Sequence, residues 1–145
     1  MTLVFADTSA LIKLYLNEPD SAAVIELANA GVVCVCRIAW AEAMAAFARR
    51  AREHPSDTDL LENAKRTFAR HWPRLAIVDV TQSVVERAGD YADAFALRGY
   101  DAVQLAAAQE LAVPLMDAPT FACFDARLNK AARTLGMQVP FAGLR

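Results

Sequence analysis

The chain is short of the residues that mark linkers: its 145 positions hold only five Gly and six Pro. No segment is biased enough to read as a disordered tail or an interdomain tether, and nothing recurs at solenoid periods. One domain over residues 1–145 is therefore expected, long enough to bury a sizeable core. Cysteine is scarce as well. Cys34, Cys36 and Cys123 are an odd number and widely spread, which argues against a disulfide framework and for a reducing cytoplasm. Cys34 and Cys36 alternate along a predicted strand and so share one face, where they fill core. Without a second pair they are a poor zinc motif. Charge interrupts every apolar run before the ~20 residues that a membrane span needs. The apolar N-terminus is short, lacks a positive leader and reads as a first strand, not a secretory signal. A basic surplus is also missing, with 15 Lys and Arg against 17 Asp and Glu and a net charge of −2. Affinity for a polyanion would then have to come from a local patch or from bound metal ions.

What the chain has in plenty is apolar sequence, 56% of all residues, in Ala- and Leu-rich helical stretches that alternate with short β-branched runs. Residues 3–6 read as a strand, 9–16 and 20–30 as helices, and 32–36 as a second strand with Gly31 ending the helix before it. Helices are predicted over 38–53 and 58–70, a strand over 75–80, and a helix over 81–97 with Thr81 or Ser83 as cap. After a turn at 98–100 come a helix over 101–111 and a fourth strand, at 113–116 or 120–124 or both. A helix over 126–135 closes at Gly136, and 137–140 is a candidate last strand. Such alternation implies a parallel sheet with helices on both faces. In sheets of that kind, ligands bind beyond the carboxyl ends of the strands.

Four acids sit where that rule points. Asp7 lies where the strand of "LVFADTSALIK" gives way to a helix. Glu42 stands one turn into the helix of "CRIAWAEAMAAF". Asp101 opens the apolar helix of "LRGYDAVQLAAAQ", and Asp125 follows "TFACF". Taken singly, Asp7, Asp101 and Asp125 are satisfied as helix caps, and Glu42 as part of a surface stripe. Taken together they repel, since two unit charges ~5 Å apart cost roughly 3 kcal/mol at an effective dielectric near 20. A domain is stable by only about 5–15 kcal/mol. Such a cluster persists by protonating one member or by binding cations, and all-oxygen ligands suit Mg²⁺ or Mn²⁺.

The segments "FADTSALIKLY", "AWAEAMAAF", "RGYDAVQLAAA" and "TFACFDARLNKAARTLGM" resemble the four acidic motifs of PIN-domain ribonucleases, and VapC-type toxins of type II toxin–antitoxin pairs above all. The likeness runs almost end to end and in order. It implies an α/β, PIN-like three-layer sandwich, with a mostly parallel sheet of 4–5 strands flanked by about seven helices. It also implies a Mg²⁺- or Mn²⁺-dependent endoribonuclease, a cognate antitoxin as partner, and a homodimer or toxin–antitoxin hetero-oligomer. Carried over by position, Asp7 and Asp101 match the principal metal ligands, Glu42 the second-motif acid and Asp125 the fourth. Cys123 departs from the family's usual Thr or Ser two residues before that last acid. Asp117 ranks as a loop residue. Thr8 and Ser9 are helix-start residues or add hydrogen bonds to the site. Arg49, Arg50 and Arg52, with Lys65, Arg66, Arg70 and Arg74, form either an RNA-contacting path, a solvated face or an antitoxin contact. Trp40 and Trp72 read as packing residues and Tyr100 as the aromatic nearest the site. Two rivals remain. One is a phosphatase with Asp7 as nucleophile, disfavoured by Ser9 where a second acid is wanted. The other is a catalytically inactive PIN-like interaction module.

Overall fold

The computed structural model describes residues 2–115 and 117–144. Its centre is a sheet of four parallel strands in the order β3-β2-β1-β4. These are β1 (Thr2–Ala6), β2 (Gly31–Cys36), β3 (Ala76–Val78) and β4 (Thr120–Ala122). Side chains alternate across a strand, and here the alternation divides the core in two. Val4, Ala6, Val35 and Ala122 face one cluster. Over it lie α1 (Thr8–Leu11), α2 (Ser21–Asn29), α3 (Ala39–Glu53) and α4 (Thr58–His71). Phe5, Phe121 and all three cysteines face the other cluster. That face is covered by α5 (Gln82–Phe95), α6 (Gly99–Leu115) and α7 (Ala126–Thr134). The α/β three-layer expectation holds, and so does the reading of Cys34 and Cys36 as core. The cysteines are buried and free.

Aromatic packing ties the first layer together. Trp40 stacks on Phe68 at 5.3 Å and meets Trp72 edge-on at 5.4 Å. The Tyr15 hydroxyl lies 3.1 Å from His71 Nδ1. Both tryptophans therefore serve packing, as expected.

Several predicted boundaries move. Gly31 does not end α2 but begins β2. A Cβ there would lie 2.5 Å from the Thr2 carbonyl oxygen on the paired strand. The helix predicted over 9–16 breaks after one α-turn into a 3₁₀ turn, Ile12–Leu14. The strand predicted over 75–80 keeps only three residues, at the sheet edge. Residues 113–115 are the last turn of α6 and not a strand, and Met116 lies outside the described residues. At 137–140 only an isolated bridge forms, between Thr120 and Gln138. Arg98-Gly99-Tyr100 is not a separate turn, because α6 already starts at Gly99. Thr81 is the cap of α5, accepting from Val84 N at 3.2 Å. Gly136 takes φ +90° behind α7, the left-handed closure that glycine permits.

Candidate active site

Because all strands run one way, their carboxyl ends share one edge of the sheet, and β1 has β2 and β4 on its two sides. Asp7 follows β1 directly and caps α1. Its Oδ1 accepts from Ala10 N at 3.1 Å and from Ser9 Oγ at 2.6 Å. The side chain is only 5% exposed, and no cation pairs with it among the described residues. Burial therefore pushes its carboxyl up to about 6. The Ser9, Cys123 and Ala10 donors pull the other way, and the nearby Asp101 charge adds to the rise.

Ser9 also fastens this strand end to the next. Its Oγ accepts from Phe124 N at 3.0 Å, in the loop between β4 and α7. In that loop Cys123, fully buried, accepts from Asp125 N through Sγ at 3.3 Å. Burial first, and then the Asp7 charge, push the Cys123 thiol far up, so it stays protonated. Cys123 thus places a neutral thiol beside Asp7, while Ser9 supplies the short hydroxyl contact. Asp125 caps α7 through Leu128 N at 2.8 Å and is itself exposed. Asp117, in the loop before β4, is exposed as well.

Asp101 lies in the first turn of α6, not ahead of it as a cap. Burial chiefly, and then the Asp125 charge, raise its carboxyl, which Arg98 partly offsets. Asp101 and Asp125 line one cleft of about 250 Å³ together with Arg98 and Arg127. Tyr100 does not line it; it borders a separate apolar groove with Val85, Ala88 and Val103.

Glu42 joins through hydrogen bonds. Its Oε1 accepts from Thr8 Oγ1 at 2.9 Å and from Gln104 Nε2 at 2.7 Å. Gln104 Nε2 also lies 3.3 Å from Thr8 Oγ1. Thr8 is the neighbour of Asp7, and Gln104 is one helical turn beyond Asp101. Three elements, α1, α3 and α6, are thereby knotted at one carboxylate oxygen. Gln104 is 2% exposed, and its Oε1 has no partner among the described residues. Sequence reasoning missed this residue. The only available signal was an amide amid Ala and Leu, three positions after the acid.

The four predicted acids thus gather at one sheet edge. Asp7, Asp101 and Asp125 are coupled by charge, and Glu42 is tied in through Thr8 and Gln104. Among the described residues no three His, Cys, Asp or Glu side chains converge closely enough to form a ready-made metal cage. The donor set is all oxygen, and among the described residues the buried Asp7 charge has no counter-ion. These residues fit a hard divalent ion that takes few protein ligands and is completed by water and substrate.

A PIN domain model matches residues 4–133. The chain belongs to the PIN-domain family. Within that family it is similar to Ribonuclease VapC45 of Mycobacterium tuberculosis (strain CDC 1551 / Oshkosh), 35% identical over 145 residues, with 99% of each chain covered. It is also similar to Ribonuclease VapC46 of M. tuberculosis H37Rv, 33% identical over 140 residues, with 96% of this PIN domain chain and 97% of that one covered. The fold resembles that of M. tuberculosis VapC20, described as a sarcin-ricin loop cleaving toxin. The TM-score is 0.64 at 17% identity, over 88% of this chain and 94% of that one. A toxin-antitoxin complex from Klebsiella pneumoniae superposes with TM-score 0.60 at 18% identity, over 85% and 87%. No helix among the described residues is long and apolar enough to cross a membrane.

Proposed function

We propose that this PIN domain is a Mg²⁺- or Mn²⁺-dependent endoribonuclease of the cytoplasm, the toxin of a VapC-type pair held in check by a cognate antitoxin. The observation that carries the reading is the buried, unneutralised Asp7 flanked by Asp101 and tied to Glu42 and Asp125 at one sheet edge. Its VapC relatives, named ribonucleases at 33–35% identity along nearly their whole length, support RNA as substrate. The toxin–antitoxin complex with the same fold supports an antitoxin partner, in a hetero-oligomer or beside a homodimer.

Residues Asp7 and Asp101 would hold the principal ion, with Glu42 and Asp125 completing its surroundings or those of a second. Such an ion, when bound, neutralises phosphate charge, lowers the pKa of a bound water and steadies the leaving oxygen. The protein's own part is positional. Ser9 and Ala10 fix the Asp7 carboxylate, so it need not reorganise on binding. Thr8 and Gln104 hold Oε1 of Glu42, leaving Oε2 to orient a water or accept its proton. Asp125, rigid as a helix cap yet exposed, presents a carboxylate at the mouth of the cleft. Arg98 and Arg127 stand beside it to meet phosphate oxygens.

Cleavage of single-stranded RNA with Mn²⁺, with chelator, and with Asp7→Asn tests the reading. Metal-dependent cleavage by wild type that is lost in both controls is the expected result. Undiminished cleavage by Asp7→Asn would overturn the assignment. That no ready-made cage forms among the described residues favours the second reading, an inactive interaction module. That reading requires no Mn²⁺ to bind between Asp7 and Asp101 at saturating metal.

A further inference from the structure

An RNA path is one of the sequence's readings of the arginine-rich end of α3 and face of α4, but two of its seven basic residues are paired with acids and acids line its groove. Arg50 Nη1 lies 3.3 Å from Glu18 Oε2, and its Nε 4.0 Å from Asp57 Oδ2. Lys65 pairs with Glu62 at 3.2 Å. The groove beside α3 that holds Arg49 and Arg50 is also lined by Glu18 and Glu53.

A different surface combines unpaired cations with a groove free of acids. Arg127, Lys130 and Arg133 follow one another at helical spacing along the exposed side of α7. None of the three is in an ion pair among the described residues. Arg127 reaches back across the end of α5, where Nη1 donates to the Ala96 carbonyl at 3.1 Å. It is shared by two clefts. One is the acidic cleft of Asp101 and Asp125. The other is a groove of about 560 Å³ whose lining includes Phe95, Ala126, Lys130 and Thr134 and contains no acid. That volume lies in the range of about 300–1,000 Å³ common for bound small molecules, room enough for a nucleotide.

We infer that single-stranded RNA leaves the acidic cleft along α7, with phosphates on Arg127 and Lys130 and one base in the groove against Phe95. This rests on the ribonuclease reading for its substrate but commits to which side of the site the strand occupies. A strand threading the cleft meets Arg127 next to the acids, then Lys130 one turn on, over a wall that repels no phosphate. Aromatic and small apolar side chains beside cations are the usual platform for unpaired bases.

Binding of a labelled single-stranded RNA oligonucleotide, followed by fluorescence anisotropy in chelator across a salt series, tests this apart from cleavage. For single strands the dependence of log K on log salt carries about 0.7 per phosphate contact. Arg127→Glu/Lys130→Glu should weaken binding at least about tenfold, and losing two contacts should flatten that slope by about 1.4. Lys130→Glu alone, outside the acidic cleft, should give about half that flattening, which separates the strand path from damage to the acids. Arg49→Glu/Arg66→Glu should leave affinity and slope close to wild type. All four positions are exposed, so unchanged circular dichroism is expected. An unaffected α7 pair, equal losses from both pairs, or no binding by wild type at low salt would each overturn the inference. Absence of cleavage by a wild type that still binds RNA through α7 would instead count against the ribonuclease reading alone.

Discussion

Asp7 is where the residue-level physics of the site is most exposed. Its carboxyl stands at about 6 in the fold, because burial outweighs three hydrogen bonds, against 3.8 when solvated. The metal-free folded state therefore holds this proton more tightly than the unfolded chain does. Its contribution to stability is fully present below pH 3.8 and is lost as pH rises through about 6. The loss amounts to roughly 3 kcal/mol at most, from 1.36 kcal/mol per pKa unit. Asn in its place keeps the Ser9 donor satisfied and carries no charge to desolvate. Asp7→Asn should thus abolish RNA cleavage, yet raise the apo-protein melting temperature at pH 7.5 by several degrees. That gain should shrink toward pH 4.5, where wild-type Asp7 is itself neutral. Differential scanning calorimetry at both pH values checks this, and a variant less stable than wild type at pH 7.5 contradicts it. The same proton competes with the metal for Asp7, so at sub-saturating Mn²⁺ wild-type cleavage should fall as the pH is lowered.

At the scale of elements, two positions show what a sequence discloses and what it hides. The carboxylates after β1, β2 and β4 were legible, because parallel strands must present their carboxyl ends together and the periodicity marked those ends. Gln104 was not, since its place in the run Ala102–Leu111 of α6 is one that an apolar core residue would also occupy. Only the approach of α3 to α6 sets its amide against Glu42. Gly31 was legible as a boundary but misread as a helix stop. What it relieves is contact with Thr2 across the β1–β2 pair, which no local pattern encodes. Strand 75–80 was overextended because β3 lies at the edge with one partner, where pairing can stop after three residues. Gly31→Ala should cost about 1–3 kcal/mol, the usual range for overpacking, read as a lower urea midpoint. Gln104→Leu keeps the volume and removes an orphaned acceptor, but it also takes the 2.7 Å donor from Glu42, so stability should fall by about 1–2 kcal/mol. Cleavage should fall about 10–100-fold, mainly in kcat, as for other groups that orient a metal-site ligand. Wild-type turnover by Gln104→Leu would show that Thr8 alone fixes Glu42.

For the whole molecule, the two faces of one sheet pack separate cores, and the edge where both layers end collects charge that neither core can absorb. Layer one contributes Asp7 and Glu42 through α1 and α3; layer two contributes Asp101 and Asp125 through α6 and α7. An ion that bridges Asp7 and Asp101 would therefore couple the two layers and relieve the repulsion between them. Binding restricted to the folded state stabilises it by RT ln(1 + [L]/Kd), about 2.7 kcal/mol at a hundred times Kd. Saturating Mn²⁺ should raise the melting temperature at pH 7.5 by about 5–10 °C in a domain of this length. Because Asp7 must shed its proton to bind, the rise should be clearly smaller at pH 5.5. Asp7→Asn should abolish it at either pH, whereas Gly31→Ala, though less stable, should keep it in full. Thermal denaturation with and without Mn²⁺ reads all four cases. If the wild-type transition does not move, the acids do not share an ion, and the hydrogen bonds of Thr8, Ser9 and Gln104, not a metal, join the two layers at this edge.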